Sequence, residues 1–171
     1  GDDTLTFDAA GATVTVSNVE TVTGSAATDV VTFSTQVTGA TVDLAGGSDA
    51  VVLGNFLNTV TLSNVETITG GGSTDTVFLG SQATGTTVDL GGGLDRVVLG
   101  AFVNTVTITN VETLTGGSTD DEVTFAAALT RGTVDLGAGN DQIRLADVAN
   151  TVSIANVETL TGGTAADVVT L

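Results

Sequence analysis

The chain has 171 residues, of which 20 are acidic, three are arginine and none is lysine, histidine or cysteine, so its formal net charge is −17. This inventory excludes a Ser-His-Asp triad, a thiol nucleophile, an ordinary zinc or haem site, a Schiff base and a Walker-type phosphate loop. Because the charge also repels nucleic acid and anionic membranes, the composition predicts no enzyme, no nucleic-acid partner and no membrane insertion.

A repeat is the main signal along the chain. The segment Thr-Val-Thr-Val at residues 13–16 returns with small changes at 59–62, 105–108 and 151–154, a period of 46 residues. A related Thr-Val-Asp-Leu segment stands at 41–44, 87–90 and 133–136. The starts of successive Thr-Val pairs therefore alternate between a longer and a shorter spacing. We interpret the repeat as two coils and predict alternating 28- and 18-residue coils.

An aspartate series supports this register, with spacings that alternate between 26 and 20 residues. Each aspartate precedes a short segment in which the second and fourth following residues are apolar, for example Val51 and Leu53 after Asp49. The residues between them vary freely. This period of two is typical of strands with one buried face. The long coils contain about one further strand, as in Asn-Val-Glu-Thr-Ile-Thr-Gly at residues 64–70.

The strict repeat favours parallel stacking over sequential hairpins. We therefore predict an all-β fold, a right-handed parallel β-solenoid of the β-roll or β-helix type. Residues 1–171 are predicted to form one uncapped repeat domain, since both ends carry the aspartate-initiated strand and no polar cap. Such a domain is a slice of a longer array, or a subunit whose ends stack on neighbouring solenoid coils or subunits.

The turns before the short-coil aspartates resemble the RTX (haemolysin-type) calcium-binding β-roll repeats, whose nonapeptide is G-G-x-G-x-D-x-U-x. The residues that carry this resemblance are Gly-Ala-Gly-Asn-Asp-Gln-Ile at 137–143, Gly-Gly-Gly-Leu-Asp-Arg-Val at 91–97 and Gly-Gly-Ser-Asp-Ala-Val at 46–51. The Asn-Val-Glu-Thr-Leu-Thr-Gly segments look like those of large secreted bacterial adhesins and surface-layer proteins. The resemblance implies calcium binding, secretion and an extracellular place at the bacterial cell surface.

The metal site implied by the resemblance is a column of eight aspartates, ~4.8 Å apart if the coils stack in register. Calcium takes six to eight oxygens, which carboxylates and the carbonyls of glycine-rich turns can supply. In the alternative, each aspartate accepts hydrogen bonds from the N–H groups of its own turn. The candidate ligands are Asp49, Asp95 and Asp141 with Gly47, Gly93 and Gly139, followed by Asp29, Asp75, Asp121, Asp167 and Asp3.

Two further series recur every 46 residues. We interpret them as residues that shape a corner through side-chain hydrogen bonds, with metal binding as the alternative for the glutamates. They are Glu20, Glu66, Glu112 and Glu158, and Asn18, Asn64, Asn110 and Asn156.

The function that follows is structural: a calcium-stabilised β-solenoid module of a secreted bacterial surface-layer, adhesin or extracellular filament protein. External calcium would neutralise the acidic column and drive folding. Two alternatives are open. One is a repeat module that binds a cell-surface glycan, another partner or ice, and the other is a non-catalytic repeat region of a larger secreted enzyme or toxin.

Overall fold

The computed structural model describes residues 1–171 and contains nineteen strands. Odd-numbered strands form a ten-stranded sheet and even-numbered strands a nine-stranded sheet, and every pair of neighbours is parallel. Because consecutive strands alternate between the sheets, two strands complete one coil. The predicted all-β parallel β-solenoid is therefore confirmed. No helix long and apolar enough to cross a membrane is present.

The ten-stranded sheet consists of β1 (Thr4–Thr6), β3 (Thr21–Thr23), β5 (Thr38–Asp43), β7 (Asn58–Ser63), β9 (Asp75–Leu79), β11 (Arg96–Val98), β13 (Thr113–Thr115), β15 (Thr130–Asp135), β17 (Thr151–Ala155) and β19 (Val168–Thr170). The nine-stranded sheet consists of β2 (Thr13–Val16), β4 (Val30–Phe33), β6 (Ala50–Val52), β8 (Thr67–Thr69), β10 (Thr84–Asp89), β12 (Asn104–Thr109), β14 (Asp121–Phe125), β16 (Gln142–Arg144) and β18 (Thr159–Thr161).

The coil lengths differ from the prediction. Thr21 pairs with Thr4 on one side and with Thr41 on the other, so the coils are nearly equal in length. The expected alternation of 28- and 18-residue coils is wrong. The longer spacing between Thr-Val pairs holds three strands, for example β2 to β4. Since two strands close a coil, the third already belongs to the next one.

The consequence is a switch of sheet at every repeat. Each 46-residue unit contributes five strands, for example β2 to β6, and therefore spans two and a half coils. Because five is odd, equivalent strands of successive units lie in opposite sheets: β2 and β12 in the nine-stranded sheet, β7 and β17 in the ten-stranded one. Equivalent side chains thus alternate between the two edges of the solenoid.

The core is a thin aliphatic layer between the sheets. A cluster of 34 buried residues runs through the chain and is mostly valine, leucine and isoleucine. Similar residues stack on one another, as Val31, Val51, Ile68 and Val88 do in adjacent strands of one sheet. Stacking of like side chains lets small apolar residues fill the interior with few aromatics.

Two residues other than glycine and asparagine lie in the left-handed backbone region, one in a turn and the other at the register shift inside β15. Ala45 has φ 66° and Arg131 has φ 74°. At the equivalent positions of the other repeats the chain has glycine: Gly91 (φ 83°) and Gly137 (φ 88°) for Ala45, and Gly39 (φ 77°) and Gly85 (φ 72°) for Arg131. A side chain in this region costs about 1–2 kcal/mol, so the backbone is strained at both positions.

We expect the exchange Arg131→Gly to raise the free energy of unfolding by up to about 1 kcal/mol, because it relieves that strain. Arg96→Gly is the matched control. It removes the same side chain from the strand β11, where glycine should cost about 0.5–1 kcal/mol. Urea unfolding of both variants measures the difference. A loss of stability in Arg131→Gly would show that the backbone at Arg131 is not strained.

Candidate functional site

The eight series aspartates do not form the single column that the sequence predicts. Six of them lie at the starts of strands in three pairs, and the pairs alternate between the two sheets, whereas Asp3 and Asp167 are single. Asp29 and Asp49 precede β4 and β6 of the nine-stranded sheet, whereas Asp75 begins β9 and Asp95 precedes β11 of the ten-stranded sheet. The physical reason is the odd number of strands in each repeat, which carries every second pair to the opposite edge.

Each pair is extended by a glutamate from the next coil, and we call the resulting three-residue stack a carboxylate run. There are three complete runs: Asp29, Asp49 and Glu66; Asp75, Asp95 and Glu112; Asp121, Asp141 and Glu158. Parts of further runs occur near the two ends, at Asp3 with Glu20 and at Asn150 with Asp167.

Within a run, each carboxylate after the first accepts a backbone N–H from the preceding coil. In the middle run the N–H of Asp75 donates to Oδ1 of Asp95 at 2.7 Å, and the N–H of Asp95 donates to Oε2 of Glu112 at 2.8 Å. Asn58 lies one coil before this run, and its N–H and Nδ2 donate to Oδ1 of Asp75 at 3.1 and 2.8 Å. The side chains thus join four successive coils by hydrogen bonds at the sheet edge.

The aspartates of the runs point inward, in phase with the apolar residues of their strands. Asp29, Asp75 and Asp141 have no exposed surface, and Asp49, Asp95 and Asp121 are at most 2% exposed. The two aspartates of a pair differ in the hydrogen bonding of their second carboxylate oxygen, Oδ2. Oδ2 of the first aspartate accepts an N–H of its own turn, as Asp29 does from Ser25 at 2.7 Å.

The second aspartate of each pair lacks such a donor. Oδ2 of Asp49, of Asp95 and of Asp141 is buried and has no hydrogen-bond partner. A buried oxygen without a partner is costly, above all when the group is charged. Burial raises the pKa of Asp95 to about 6, and the carboxylates of Asp75 and Glu112 add to this rise.

Burial likewise raises the pKa of Asp49, Asp141 and Asp121 above the ordinary range of aspartate. For Asp49 and Asp141 the neighbouring carboxylates of the run raise it further. In Asp121 the hydrogen bonds from Asn104 and from the N–H of Gly117 oppose the rise in pKa.

The glycines expected to offer carbonyls to calcium have a different role that is visible in the structure. Gly47, Gly93 and Gly139 have φ of 144°, 146° and 157°. A Cβ on Gly93 would lie 2.8 Å from the backbone of Ser73 and Thr74 and 2.9 Å from Oδ1 of Asp95. Glycine is therefore required because the turn packs directly on the backbone of the neighbouring coil and on the buried carboxylate.

The carboxylate runs do not fit a calcium ion. Calcium requires six to eight oxygens, whereas only one oxygen of each second aspartate is free, and it is enclosed by the core. No group of three or more acidic side chains is arranged to hold a metal. The hydrogen bonds favour the alternative in which the aspartates accept backbone N–H groups, although most of these come from the adjacent coil. Calcium binding by this chain stays a prediction of the resemblance.

The corner residues form the side-chain hydrogen bonds that the sequence suggested. The glutamates accept backbone N–H groups, as Glu66 does from Asp49 at 2.7 Å. Asn64 has φ 55° and its Nδ2 donates to Oδ1 of Asp43 at 2.7 Å. The same bond recurs from Asn110 to Asp89 at 2.8 Å. These outward aspartates are therefore hydrogen-bonded at the corner.

Sequence reasoning missed the buried asparagines that donate to the first aspartate of a run: Asn58, Asn104 and Asn150. Nδ2 of Asn104 donates to the carbonyls of Gly100 and Phe102 and to Asp121, and its Oδ1 accepts the N–H of Ala83. Their spacing of 46 residues was the available signal. The phase of the aspartates was another, because they stand two residues before a buried apolar position and so share its inward face.

The outward-facing threonines of neighbouring strands form interrupted rows and not a continuous array. In the nine-stranded sheet Val30 and Ala50 separate Thr13 from Thr67. In the ten-stranded sheet Arg96 separates Thr76 from Thr113. The regular spacing that an extended hydroxyl lattice needs is therefore lost on both faces.

Comparisons with protein-family models, with curated proteins and with solved structures find no match to this chain.

We expect Asn104→Ala to lower the free energy of unfolding by about 2–4 kcal/mol, because it leaves the buried N–H of Ala83 without an acceptor and removes donors to two carbonyls. Asn140→Ala is the matched control, since Asn140 is exposed and only its backbone N–H is bonded. Urea unfolding reports both. Equal stability of the two variants would contradict the structural role of Asn104.

Because hydrogen bonds join the members of each run and the free buried oxygens are too few for a calcium ion, we expect EDTA to leave the melting temperature at pH 7.5 unchanged. Differential scanning calorimetry in EDTA and in millimolar calcium measures this. A marked fall in EDTA, as the RTX resemblance implies, would show that calcium stabilises the fold after all.

Proposed function

We propose that this chain is a structural module, a length of β-solenoid rod belonging to a secreted bacterial surface-layer, adhesin or extracellular filament protein. The observation that carries the proposal is the parallel pairing of all nineteen strands in two continuous sheets. A rod of this kind holds what is attached to its two ends at a fixed distance. The secreted, cell-surface setting rests on the resemblance to the RTX-type repeats.

We also propose that the coil is right-handed, the hand that crossover connections between parallel strands strongly favour.

The calcium that the resemblance implies is not part of this proposal. The hydrogen bonds of the runs link neighbouring coils, and the scaffold proposal holds whether or not calcium binds. Glycan, partner or ice binding is the rival function.

The test is to lengthen the rod. Duplicating one internal 46-residue repeat should add two and a half coils, or roughly 12 Å at ~4.8 Å per coil. Small-angle X-ray scattering measures the maximum dimension of the monomer, and a second duplication should add the same increment. No growth, or growth in the cross-section, would contradict the rod. Saturable binding in a glycan array would favour the binding module instead.

A further inference from the structure

Three neighbouring turns on one edge of the solenoid expose apolar side chains and no charge. All three lead from the nine-stranded sheet to the ten-stranded one, and they are residues 53–57, 70–74 and 90–95. Phe56 is 41% exposed, Leu57 58% and Leu94 74%. The one carboxyl within these turns belongs to Asp95 and is buried. We call the surface of these three turns the apolar patch.

The patch is continuous because the turns stack directly on one another. The N–H of Leu94 donates to Oγ1 of Thr74 at 3.1 Å, and the N–H of Gly72 donates to Oδ1 of Asn55 at 2.9 Å. Leu57 stands beside Thr74, since the residues that follow them pair in the sheet. The patch is therefore one surface, three coils high.

Glycines hold the patch in place. A Cβ on Gly54 would lie 2.9 Å from Cδ2 of Phe56, so the ring rests on the glycine backbone. A Cβ on Gly91 would overlap the carbonyl oxygen of Gly71, so these two turns touch through their backbones. A surface that is fixed before it binds loses little conformational entropy on binding.

The repeat does not rebuild this surface one unit later, on the opposite edge. There the place of Thr74 is taken by Asp120, which is exposed. The place of Leu94 is taken by Asn140. Val103, the apolar residue at the tip of the turn on that edge, therefore has a charged neighbour, whereas the apolar patch has none.

The two sides of the patch carry opposite charges. Asp89 ends β10 of the nine-stranded sheet and Arg96 begins β11 of the ten-stranded sheet, so they stand on the two sides of one turn. Arg96 is exposed and Asp89 is half-buried. Oδ1 of Asp89 accepts the N–H of Gly91 and Nδ2 of Asn110, which fixes its carboxylate at the corner.

A second copy of this chain matches that arrangement of charges. A two-fold axis parallel to the solenoid axis places two rods side by side, edge to edge and in the same direction. The two sheets then exchange sides, so that Arg96 of each copy faces Asp89 of the other while Leu94 lies against Leu94. In rods of opposite direction, like charges would face each other at this turn.

The net charge restricts where two copies can approach. With 20 acidic residues and three arginines in each chain, two copies repel each other over most of their surface. The apolar patch is a place where they can bury apolar area and bring opposite charges together without placing carboxylates face to face.

We propose that the apolar patch is a docking surface for a second copy of this chain, aligned in parallel. The inference rests on the proposed scaffold function and names a lateral partner for the rod. The patch measures about 14 Å by 10 Å at the usual coil and sheet spacings, which is small beside the ~800 Å² per partner of a stable interface. Isolated modules therefore associate weakly, with a Kd of roughly 0.1–1 mM.

Sedimentation equilibrium of the full chain up to about 1 mM tests the docking, in about 0.15 M salt to screen the net charge. We expect the average mass to rise toward that of a dimer. Leu94→Asn introduces the side chain that the next repeat carries at this place, and it should raise the Kd at least about 5-fold. Val103→Ala, the matched control on the opposite edge, should change the Kd less than about 2-fold.

A monomer at about 1 mM would overturn the proposal. So would a dimer that Leu94→Asn leaves intact, or one that both variants weaken equally, because the contact would then lie elsewhere. The rod itself is tested separately: a chain that stays monomeric but lengthens when a repeat is duplicated would remove this inference and keep the scaffold.

Charge variants test the parallel alignment. Arg96→Glu should weaken the dimer, whereas Arg144→Glu makes the same change in net charge three coils away and should weaken it much less. Adding Asp89→Lys to Arg96→Glu should restore the dimer, since each glutamate then faces a lysine. Equal effects of Arg96→Glu and Arg144→Glu would contradict the alignment, and this comparison stands even if Asp89→Lys does not fold.

Discussion

Everything in this solenoid depends on how the backbone N–H groups at its two edges are satisfied. Where a strand begins, the chain turns out of one sheet and its N–H loses the regular partner that the interior of a parallel sheet provides. A carboxylate of the next coil takes this place, as Asp95 does for Asp75 and Glu112 for Asp95. The carboxylate runs thus connect each coil to the next by hydrogen bonds and set the register between them.

This role changes the meaning of the acidity. A charge of −17 on 171 residues would ordinarily be a solvated surface that opposes compaction. Here six aspartates of the three runs are at most 2% exposed, so part of the charge lies in the interior. Burying this charge requires hydrogen-bond donors and a low charge density. Backbone N–H groups are the donors for most of the buried carboxylate oxygens. The unpartnered Oδ2 atoms of Asp49, Asp95 and Asp141 mark where these donors are exhausted.

The sequence predicted the parallel solenoid and the strand positions well, because a period of two within a period of 46 has few other solutions. It failed on the coil length and on the aspartate column for one reason. The strand at Thr67–Thr69 looked like an insertion into a long coil, but it occupies a full place in the other sheet. Counting five strands in each repeat moves every second aspartate pair to the opposite edge.

The inward orientation of the aspartates was also present in the sequence, since Asp49 stands in phase with Val51 and Leu53. What the sequence could not show is which N–H each oxygen meets, because the partners lie 17 or 20 residues away in another coil. The resemblance to calcium-binding repeats suggested calcium as the partner of these aspartates, because the sequence does not show their hydrogen-bond partners. With the partners in place, Asp49, Asp95 and Asp141 each retain only one free oxygen.

Native-state hydrogen exchange tests the central claim most directly. If the runs hold the coils together, the backbone amides of Asp75 and Asp95 exchange as slowly as the amide of Val97 in the middle of β11, because they open only with the sheet itself. Exchange as fast as that of an exposed turn would show that the carboxylates do not hold neighbouring coils together, and it would contradict the role assigned to the runs.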